Sequence, residues 1–280
     1  MSKPALARLI PLLTLLSAVA TAVAAEPLRI LYVGNSYTFT YNIPAHVHAL
    51  AQSAGVPAPT YTDVSQPSWY LATHRASSTT LGAIDNNTWD VVVLQEQSLR
   101  PTNPFAPAQF KQDAAWLYDR VKAKSPNAQI VLYETWARAP GDALYPGTFV
   151  SPSVMQSQLR FHYNDAATNY IPTHVSAARK TDVTIAPVGD AWERELATFA
   201  IGLHDADLSH PNLEGSYLTS LVLFSTIYHI PTTGLDPLYR DPVTAAKLQS
   251  VADATTPEPA TVYLVVCMCF SLAACVRRKR

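Results

Sequence analysis

The sequence predicts a single α/β domain in which helices cover both faces of a parallel sheet. Five short segments rich in apolar and β-branched residues predict the strands: residues 28–33, 60–64, 90–94, 129–133 and 183–188. Near-continuous apolar runs of this length are typical of strands buried on both faces, as in a parallel sheet. Helix-like stretches lie between them: residues 43–54, 106–124 and 153–178. This alternation predicts a three-layer α/β/α sandwich.

The strand predictions differ in strength, and the last helix has a start signal of its own. The segment 60–64 is the weaker strand because polar residues interrupt its apolar ones. Pro211 and Glu214 suit a first helical turn, since proline needs no N–H partner there and a carboxylate interacts favourably with the helix dipole. The last helix is therefore predicted to run from 211–214 to Tyr228. Two proline-rich stretches are predicted to be loops: residues 101–107 and 140–152.

The amino-terminal residues have the pattern of a secretory signal peptide. Lys3 and Arg8 precede an apolar run over 9–20, and small residues follow up to Ala25. A basic, an apolar and a small-residue region in this order are typical of a signal that is cleaved, and the apolar run is short for a retained membrane span. We therefore expect signal peptidase to remove residues 1–25 during export.

The carboxy-terminal residues 257–280 combine three features in a fixed order. Pro257-Glu258-Pro259 is followed by 17 apolar or small residues and then by the basic cluster 277–280. That run is at the lower limit for crossing a bilayer, and basic residues favour the cytoplasmic side. The tail resembles the PEP-CTERM sorting signal of Gram-negative bacteria, which implies transient membrane insertion of a helix and removal by an exosortase-type enzyme. A permanent membrane anchor is the alternative, and the polar stretch 236–256 is predicted to be a linker.

Composition excludes several classes of function for the residues between the two ends. Cys267, Cys269 and Cys275 all lie in the tail, so the rest of the chain has no disulfide, thiolate nucleophile or cysteine metal site. Six of the 20 basic residues lie in the signal and the tail, which leaves 14 against 20 or 21 acidic residues. An acidic balance without a basic run disfavours nucleic-acid binding. The segment 26–235 is long enough to bury a core as one domain.

Two polar motifs are predicted to meet at the carboxyl edge of the sheet, where open parallel sheets bind ligands. Ser36 follows the first predicted strand, while Asp207 and His210 lie between the last strand and the last helix. A serine hydroxyl becomes an effective nucleophile when an imidazole takes its proton and a carboxylate fixes the tautomer of that imidazole. The three residues therefore predict acyl transfer, with no metal or cofactor. A pairing of His210 with Asp205 is the alternative, at a less usual spacing.

These motifs resemble those of the SGNH or GDSL-like hydrolases over residues 28–235. Gly34-Asn35-Ser36 is similar to the Gly-Asp-Ser of the family's first block, with asparagine in place of aspartate. Asp207-Leu208-Ser209-His210-Pro211-Asn212 is similar to its last block. Three further phrases resemble the DUF4886-like bacterial branch: residues 92–98, 133–136 and 187–192. The resemblance implies a flavodoxin-like fold with a five-stranded parallel sheet, and hydrolysis of ester bonds, often acetyl groups on carbohydrates.

The resemblance also implies a role for each of the three side chains. Ser36 would be the nucleophile, His210 the base and Asp207 the residue that orients the imidazole. The family's oxyanion hole uses the N–H of the serine, a glycine N–H from a second block and an asparagine side chain from a third. Such donors stabilise the charge that develops on the substrate oxygen in the transition state.

The second and third blocks of this sequence depart from the family pattern. Gln95-Glu96-Gln97-Ser98 replaces the third block, so a glutamine amide is the expected donor, with Gln97 preferred over Gln95. Ser65-Gln66-Pro67-Ser68-Trp69 stands where the glycine of the second block is expected. Because proline has no N–H, the expected donor is the N–H of Ser68 or of Trp69. These departures are also consistent with a weakened or lost activity.

Other polar and aromatic residues near the same edge have competing interpretations. Glu96 and Glu134 follow strands and would suit a glycosidase if they flanked one bond, which no feature of the sequence fixes. His74 is predicted to be solvated or to cap a helix, with a place in the lining of the cleft as the alternative. Three tryptophans are predicted to pack in the core or the cleft wall, with stacking on sugar rings as the alternative: Trp69, Trp136 and Trp192.

Together with the resemblance, these observations predict an exported serine esterase whose substrate is an acylated carbohydrate or a small ester. Its expected location is the inner membrane and periplasm before sorting, and the cell surface or extracellular matrix afterwards. A catalytically silent surface protein that binds polysaccharide with the same fold is the alternative from another class. A membrane-anchored periplasmic esterase is a third interpretation.

Overall fold

A five-stranded parallel sheet forms the centre of the molecule. The computed structural model describes residues 26–176 and 183–256. The strands are β1 Arg29–Val33, β2 Thr60–Asp63, β3 Val91–Leu94, β4 Gln129–Tyr133 and β5 Val183–Ala186. They lie in the order β2-β1-β3-β4-β5, and every neighbouring pair is parallel. The chain changes direction across the sheet between β1 and β3, and open α/β sheets bind ligands at such a point.

Helices cover both faces of this sheet. Their bounds are α1 Ser36–Phe39, a 3₁₀ turn Thr40–Asn42, α2 Ile43–Ser53, α3 Leu71–Ala76, α4 Ser78–Asp85, α5 Pro107–Lys124, α6 Pro152–Asp165, a π-helical turn Ala166–Tyr170, α7 Ile171–His174, α8 Val188–Thr198, α9 Leu213–Tyr228 and α10 Pro242–Thr255. Proline lies in the first turn of α5, α6 and α10. The side chains of Ser151, Asn212 and Asp241 accept N–H groups at the starts of α6, α9 and α10, which fixes where these helices begin.

Alternate residues of each strand divide the core into two layers. Ile30 and Tyr32 of β1 pack with α2, α8, α9 and α10 on one face. Leu31 and Val33 pack with α3, α4, α5 and α7 on the other face. The predicted fold class, a three-layer α/β/α sandwich with a flavodoxin-like five-stranded parallel sheet, is confirmed.

The stretch 236–256 is not the linker that its polar composition predicted. Its helix α10 packs against α8 and α9. Ala245, Leu248, Val251 and Ala252 are buried in the core. These residues recur every three or four positions, so they form one apolar face on an otherwise polar helix. The folded domain therefore extends to residue 256 rather than ending at 235.

The predictions for the two ends of the chain lie outside the described residues. They are the signal peptide over 1–25 and the sorting tail with its membrane helix over 257–280, and they remain predictions. Among the helices of residues 26–176 and 183–256, none is both long enough and apolar enough to cross a membrane.

Candidate active site

Ser36 and His210 meet above the carboxyl end of β1. Ser36 begins α1, and His210 lies in the loop between α8 and α9. The Ser36 Oγ lies 2.8 Å from Nε2 of His210. The other ring nitrogen, Nδ1, is hydrogen-bonded to Oδ2 of Asp207. A carboxylate can only accept, so Nδ1 carries the proton and Nε2 is free to take the proton of the serine hydroxyl.

Asp207 receives two further hydrogen bonds from its own loop. The N–H groups of Ser209 and His210 donate to Oδ1 at 3.0 and 2.9 Å. Partial burial opposes ionisation, but these hydrogen bonds and the one from the His210 ring outweigh it and lower the pKa of the Asp207 carboxyl to about 2. At neutral pH the residue is therefore a carboxylate that holds the imidazole in one orientation.

A short hairpin places Asp207 and His210 on the same loop. The N–H of Asp205 donates to the carbonyl of His210 at 2.8 Å, which closes the loop. Leu208 lies within it with a φ of 61°, a left-handed conformation that reverses the chain. The carboxylate of Asp205 accepts the N–H of Ala206 at 2.7 Å. The structure therefore pairs the His210 ring with Asp207 and not with Asp205.

Asn35 holds the loop that carries Ser36. Its Oδ1 accepts the N–H of Tyr37 at 3.1 Å, which caps α1. Its Nδ2 donates to the carbonyl of Trp69 at 2.9 Å, so the same side chain connects this loop to the segment after β2. The N–H of Ser36 belongs to the first turn of α1, where N–H groups have no intrahelical acceptor. That N–H is therefore available to an oxyanion.

Gly34 and His74 fix the backbone just before Ser36. A Cβ atom on Gly34 would lie 2.5 Å from Oγ1 of Thr38 and 2.6 Å from Oε1 of Gln95, so only glycine fits without displacing its neighbours. The Gly34 carbonyl accepts the Nε2 proton of His74 at 2.8 Å. His74 is fully buried, and this burial lowers its pKa and keeps the ring neutral. The prediction of a solvated or capping histidine is wrong. Its spacing of three from Leu71, a core residue on the same helical turn, was the available signal.

The two candidate glutamines occupy different environments. Gln95 is buried, and its Oε1 accepts the N–H of Asn35 at 2.8 Å and the hydroxyl of Thr38 at 3.0 Å. Its Nε2 donates to the carbonyl of Glu96. Gln95 therefore supports the Ser36 loop from behind, and its complete burial keeps the remaining amide proton away from a substrate.

Gln97 keeps a free donor. Its Oε1 accepts the N–H groups of Leu99 and Arg100 at 2.9 and 3.2 Å. Its side chain is partly exposed. Within the part of the chain that the structure describes, no acceptor binds its Nε2. Of the two glutamines, Gln97 is the one whose amide is available to an oxyanion.

The segment after β2 forms a tight turn beside the Ser36 loop. The N–H of Trp69 donates to the carbonyl of Gln66 at 3.2 Å, and Pro67 and Ser68 lie between them. Ser68 has a φ of 61°, the left-handed conformation that glycine usually adopts at the third position of a type II turn. The N–H of Trp69 is thus used within the turn. This leaves the N–H of Ser68 as the remaining candidate donor from the second block.

Three stacked aromatic rings support the His210 loop from below. The ring centroids of Tyr37 and Trp136 are 4.4 Å apart, and those of Trp136 and Trp192 are 3.9 Å apart. Trp136 is 1% exposed and Trp192 4% exposed. Nε1 of Trp136 donates to the carbonyl of Ser209 at 3.0 Å. These two tryptophans are nearly buried and support the loop, whereas Trp69 is partly exposed.

Glu96 and Glu134 do not form a pair of glycosidase carboxylates. Both are fully buried. Glu96 accepts the N–H groups of Leu71 and Gln97 at 3.2 and 2.7 Å, and burial raises the pKa of its carboxyl to about 7. Glu134 accepts the amide of Gln156 at 2.7 Å, and its pKa is also raised by burial. Over residues 26–176 and 183–256, no group of three or more His, Cys, Asp or Glu side chains is placed to hold a metal ion.

Solved structures of hydrolases have the same fold. A candidate SGNH hydrolase from Slackia heliotrinireducens is 28% identical, with a TM-score of 0.59 over 72% of this chain and 100% of that chain. A DUF4886 family protein from Bacteroides uniformis is 16% identical, with a TM-score of 0.65 over 84% of this chain and 99% of that chain. An acetylxylan esterase from Geobacillus stearothermophilus is 14% identical, with a TM-score of 0.53 over 73% and 96%.

No protein-family model and no curated protein matches the sequence. The fold and its structural neighbours nevertheless place the chain among proteins with the SGNH hydrolase architecture. The sequence motifs resemble the same class.

Proposed function

We propose that the protein is an exported serine esterase that hydrolyses acyl esters with Ser36, His210 and Asp207. The observation that supports the proposal most directly is the continuous hydrogen-bonded path from hydroxyl to imidazole to carboxylate, with 2.8 Å between Oγ and Nε2. A serine is activated when its hydroxyl lies within hydrogen-bond reach of a base and a third group orients that base.

In the proposed reaction, Oγ of Ser36 attacks the ester carbonyl carbon while Nε2 of His210 takes the hydroxyl proton. The carbonyl oxygen becomes an oxyanion, which the N–H groups of Ser36 and Ser68 and the amide of Gln97 would stabilise. Collapse of the intermediate breaks the bond to the alcohol, which leaves with the proton from His210. Water then attacks the acyl-serine and gives a proton to His210, and as the bond to Oγ breaks His210 returns that proton to Ser36 and the acid is released.

The substrate that we propose is an acylated carbohydrate or a small ester, with acetyl as the first acyl group to test. An acetylxylan esterase is among the proteins that share the fold. The signal-like residues 1–25 support export, and the Pro-Glu-Pro tail supports sorting to the cell surface or matrix. In this proposal the enzyme needs no metal and no cofactor, since Ser36 supplies the nucleophile and His210 the proton transfer.

The test is hydrolysis of 4-nitrophenyl acetate by the purified protein and by Ser36→Ala. Removing the nucleophile is expected to lower kcat by roughly 10³-fold or more. Asp207→Asn keeps the shape of the site but can present the wrong tautomer, so a loss of up to about 10⁴-fold is expected. Ser250→Ala removes an exposed serine from α10 and is the matched control. Equal rates for the wild-type protein and Ser36→Ala would end the proposal.

Two observations favour an alternative function without catalysis. Gln95 is buried and hydrogen-bonded within the protein, and the second block has no glycine. With fewer oxyanion donors, the protein would be a catalytically silent surface protein that binds polysaccharide. A fluorophosphonate probe separates the two functions, because it labels only an activated serine. Labelling that is lost in Ser36→Ala supports the esterase. Measurable glycan binding without labelling supports the silent protein.

Sorting and anchoring are separated by the fate of the tail. Mass spectrometry of cell fractions detects the peptide that contains Cys267 only while the tail is attached. Surface protein that lacks this peptide supports cleavage by a sorting enzyme. Membrane-bound mature protein that retains it supports a permanent anchor.

A further inference from the structure

Arg138 is a partly buried cation that uses few of its hydrogen-bond donors. A guanidinium has five N–H donors. The Nη2 of Arg138 donates to Oγ of Ser98 at 3.0 Å, while its Nε is buried without an acceptor. Arg75 and Arg100, by contrast, both pair with the buried carboxylate of Asp113. Arg138 forms no ion pair with any residue in the described ranges, so its charge is uncompensated by direct contact.

Arg138 is linked to the proposed catalytic pair through the ring of Tyr37. Its guanidinium carbon is 5.8 Å from the ring centroid of Tyr37, within the range of a cation–π contact. The same Tyr37 ring lies 5.5 Å, centroid to centroid, from the ring of His210. Ser98, which accepts the hydrogen bond from Arg138, directly follows Gln97. The guanidinium and the His210 ring therefore lie near the same Tyr37 ring, and the guanidinium also contacts the residue that follows the free amide of Gln97.

Arg138 is among the residues that line an open cavity of about 530 Å³. Trp136, Leu203 and Leu208 form part of its apolar wall, and Leu208 belongs to the loop that presents His210. Among the lining residues that the structure describes, Arg138 is the only arginine or lysine. The cavity adjoins the proposed site through Leu208, and Arg138 shares its wall with the carboxyl groups of Glu193, Glu195 and Asp205.

The carboxylates around Arg138 are bound elsewhere. Asp207 accepts hydrogen bonds from His210, and Asp142 accepts the N–H of Leu144. Of the three carboxylates that line the cavity, Glu193 pairs with Arg160, Glu195 accepts the N–H of Ile201 and Asp205 accepts the N–H of Ala206. In the described part of the chain, no carboxylate oxygen lies within 4 Å of the Arg138 guanidinium. The Nη1 donors are therefore open to an anion brought by a ligand, whereas Nε is too deeply buried to reach one.

We propose that Arg138 binds an anionic group of the substrate, so that the preferred esters carry a carboxylate close to the ester bond. This inference rests on the proposed esterase function and names the substrate class of that same site. Guanidinium and carboxylate are complementary in shape and form two parallel N–H···O bonds, which are stronger than bonds between neutral groups. An acylated sugar acid has this chemistry, whereas an acylated neutral sugar lacks it.

The test compares pairs of esters of similar shape, one anionic and one neutral. On the alcohol side the pair is 4-acetoxybenzoate and 4-acetoxybenzamide. On the acyl side the pair is the mono-4-nitrophenyl ester of adipic acid and 4-nitrophenyl hexanoate. For each pair, the ratio of kcat/KM for the anionic ester over the neutral ester is measured, with hydrolysis by Ser36→Ala subtracted as background.

The wild-type protein is expected to favour the anionic ester in at least one pair, mainly through a lower KM. Arg138→Gln is expected to lower that ratio about tenfold, since a hydrogen bond to a charged group is lost. Arg138→Lys keeps the charge without the planar fork and should restore part of the ratio. Lys124→Gln removes an exposed cation at the end of α5 and serves as the charge-matched control. A ratio near one in both pairs, or a ratio that Arg138→Gln does not change, overturns the inference.

A binding measurement tests recognition of the carboxylate by Arg138 independently of whether the protein is an esterase. Calorimetry with 4-hydroxybenzoate and 4-hydroxybenzamide reports recognition of the carboxylate without any reaction. Weaker binding of the benzoate alone in Arg138→Gln supports the anion subsite, even if no ester is hydrolysed and the proposed function fails. Equal binding of both compounds by the wild-type protein shows that Arg138 does not recognise a carboxylate, whatever the rate of hydrolysis.

Discussion

The hydroxyl of Tyr37 lies 2.8 Å from Oγ of Ser209, so the residues next to Ser36 and His210 in the sequence are joined directly. Both side chains are buried. Trp136 adds to the connection, because its ring stacks on Tyr37 and its Nε1 donates to the Ser209 carbonyl. Two segments that are far apart in the sequence are thereby fixed side by side. The distance between the serine hydroxyl and the imidazole depends on these contacts as well as on its own hydrogen bond.

Tyr37→Phe removes the hydroxyl and keeps the stacked ring. The Ser209 hydroxyl then loses its buried partner, so the free energy of unfolding is expected to fall by about 1–3 kcal/mol. The kcat for 4-nitrophenyl acetate is expected to fall several-fold, because the His210 loop is less firmly held. Urea unfolding and steady-state kinetics measure the two effects. The double variant Tyr37→Phe/Ser209→Ala leaves no orphaned hydroxyl, so it should be less destabilised than the two single changes added together. Additive losses would contradict this coupling.

Gln95→Ala and Gln97→Ala separate support of the Ser36 loop from stabilisation of an oxyanion. Gln95 is buried and accepts two hydrogen bonds from the loop, so its loss is expected to lower stability by about 1–3 kcal/mol and activity with it. Gln97 is partly exposed with a free amide. Its loss is expected to lower kcat by roughly 10²-fold or more, with a smaller change in stability.

The free energy of unfolding and kcat are measured on the same samples of both glutamine variants. Gln97→Glu keeps the two hydrogen bonds to Leu99 and Arg100 but replaces the amide by a carboxylate. It should therefore lose as much kcat as Gln97→Ala. A Gln97→Ala variant with wild-type kcat would remove this residue from the oxyanion hole.

The sheet and the contact between Ser36 and His210 could be predicted from the sequence. Both depend on short local patterns, and the topology of a parallel sheet brings the ends of its strands together. Apolar β-branched runs predicted five strands near their observed bounds. Residues that follow parallel strands lie at one edge of the sheet, so two motifs far apart in the sequence were expected to converge. Asp207 and His210 were expected to lie close together because they are only three positions apart, so that one short loop can carry both.

Other features were missed because composition alone does not show which way a side chain points. The stretch 236–256 is polar overall, yet the spacing of its apolar residues and the Asp241-Pro242 start signal indicate an amphipathic helix. Gln95 and Gln97 are two apart after a strand, so their environments depend on where the strand ends. The left-handed turn at Ser68 had no glycine to reveal it.

Ser68→Gly tests the strain in the turn beside the Ser36 loop. Ser68 has a φ of 61°, which is unfavourable for any residue with a Cβ atom. Glycine relieves this cost but loses more backbone entropy on folding, so a net gain of about 0.5–1 kcal/mol in the free energy of unfolding is expected. Ser68→Ala keeps the Cβ atom and is the matched control, with no comparable gain. Equal stabilities for the glycine and alanine variants would show that the conformation is not strained.

Glu96 makes the stability of the protein depend on pH. Burial raises the pKa of its carboxyl from an ordinary value of 4.5 to about 7. The folded protein therefore keeps the proton over a pH range in which the unfolded chain has already released it. By linkage, the stability that this proton provides is complete below about pH 4.5 and is lost as the pH rises towards 7.

Glu96→Gln replaces the carboxyl by an amide that cannot ionise, while its oxygen can still accept the N–H groups of Leu71 and Gln97. The variant should therefore gain stability relative to wild type between pH 5 and pH 8, by on the order of 3 kcal/mol from the size of the pKa change. Urea unfolding of both proteins at the two pH values measures this difference. Glu26→Gln removes an exposed carboxyl and should show no such trend. A Glu96→Gln difference that is the same at pH 5 and pH 8 would mean that Glu96 is ionised in the folded protein across this range.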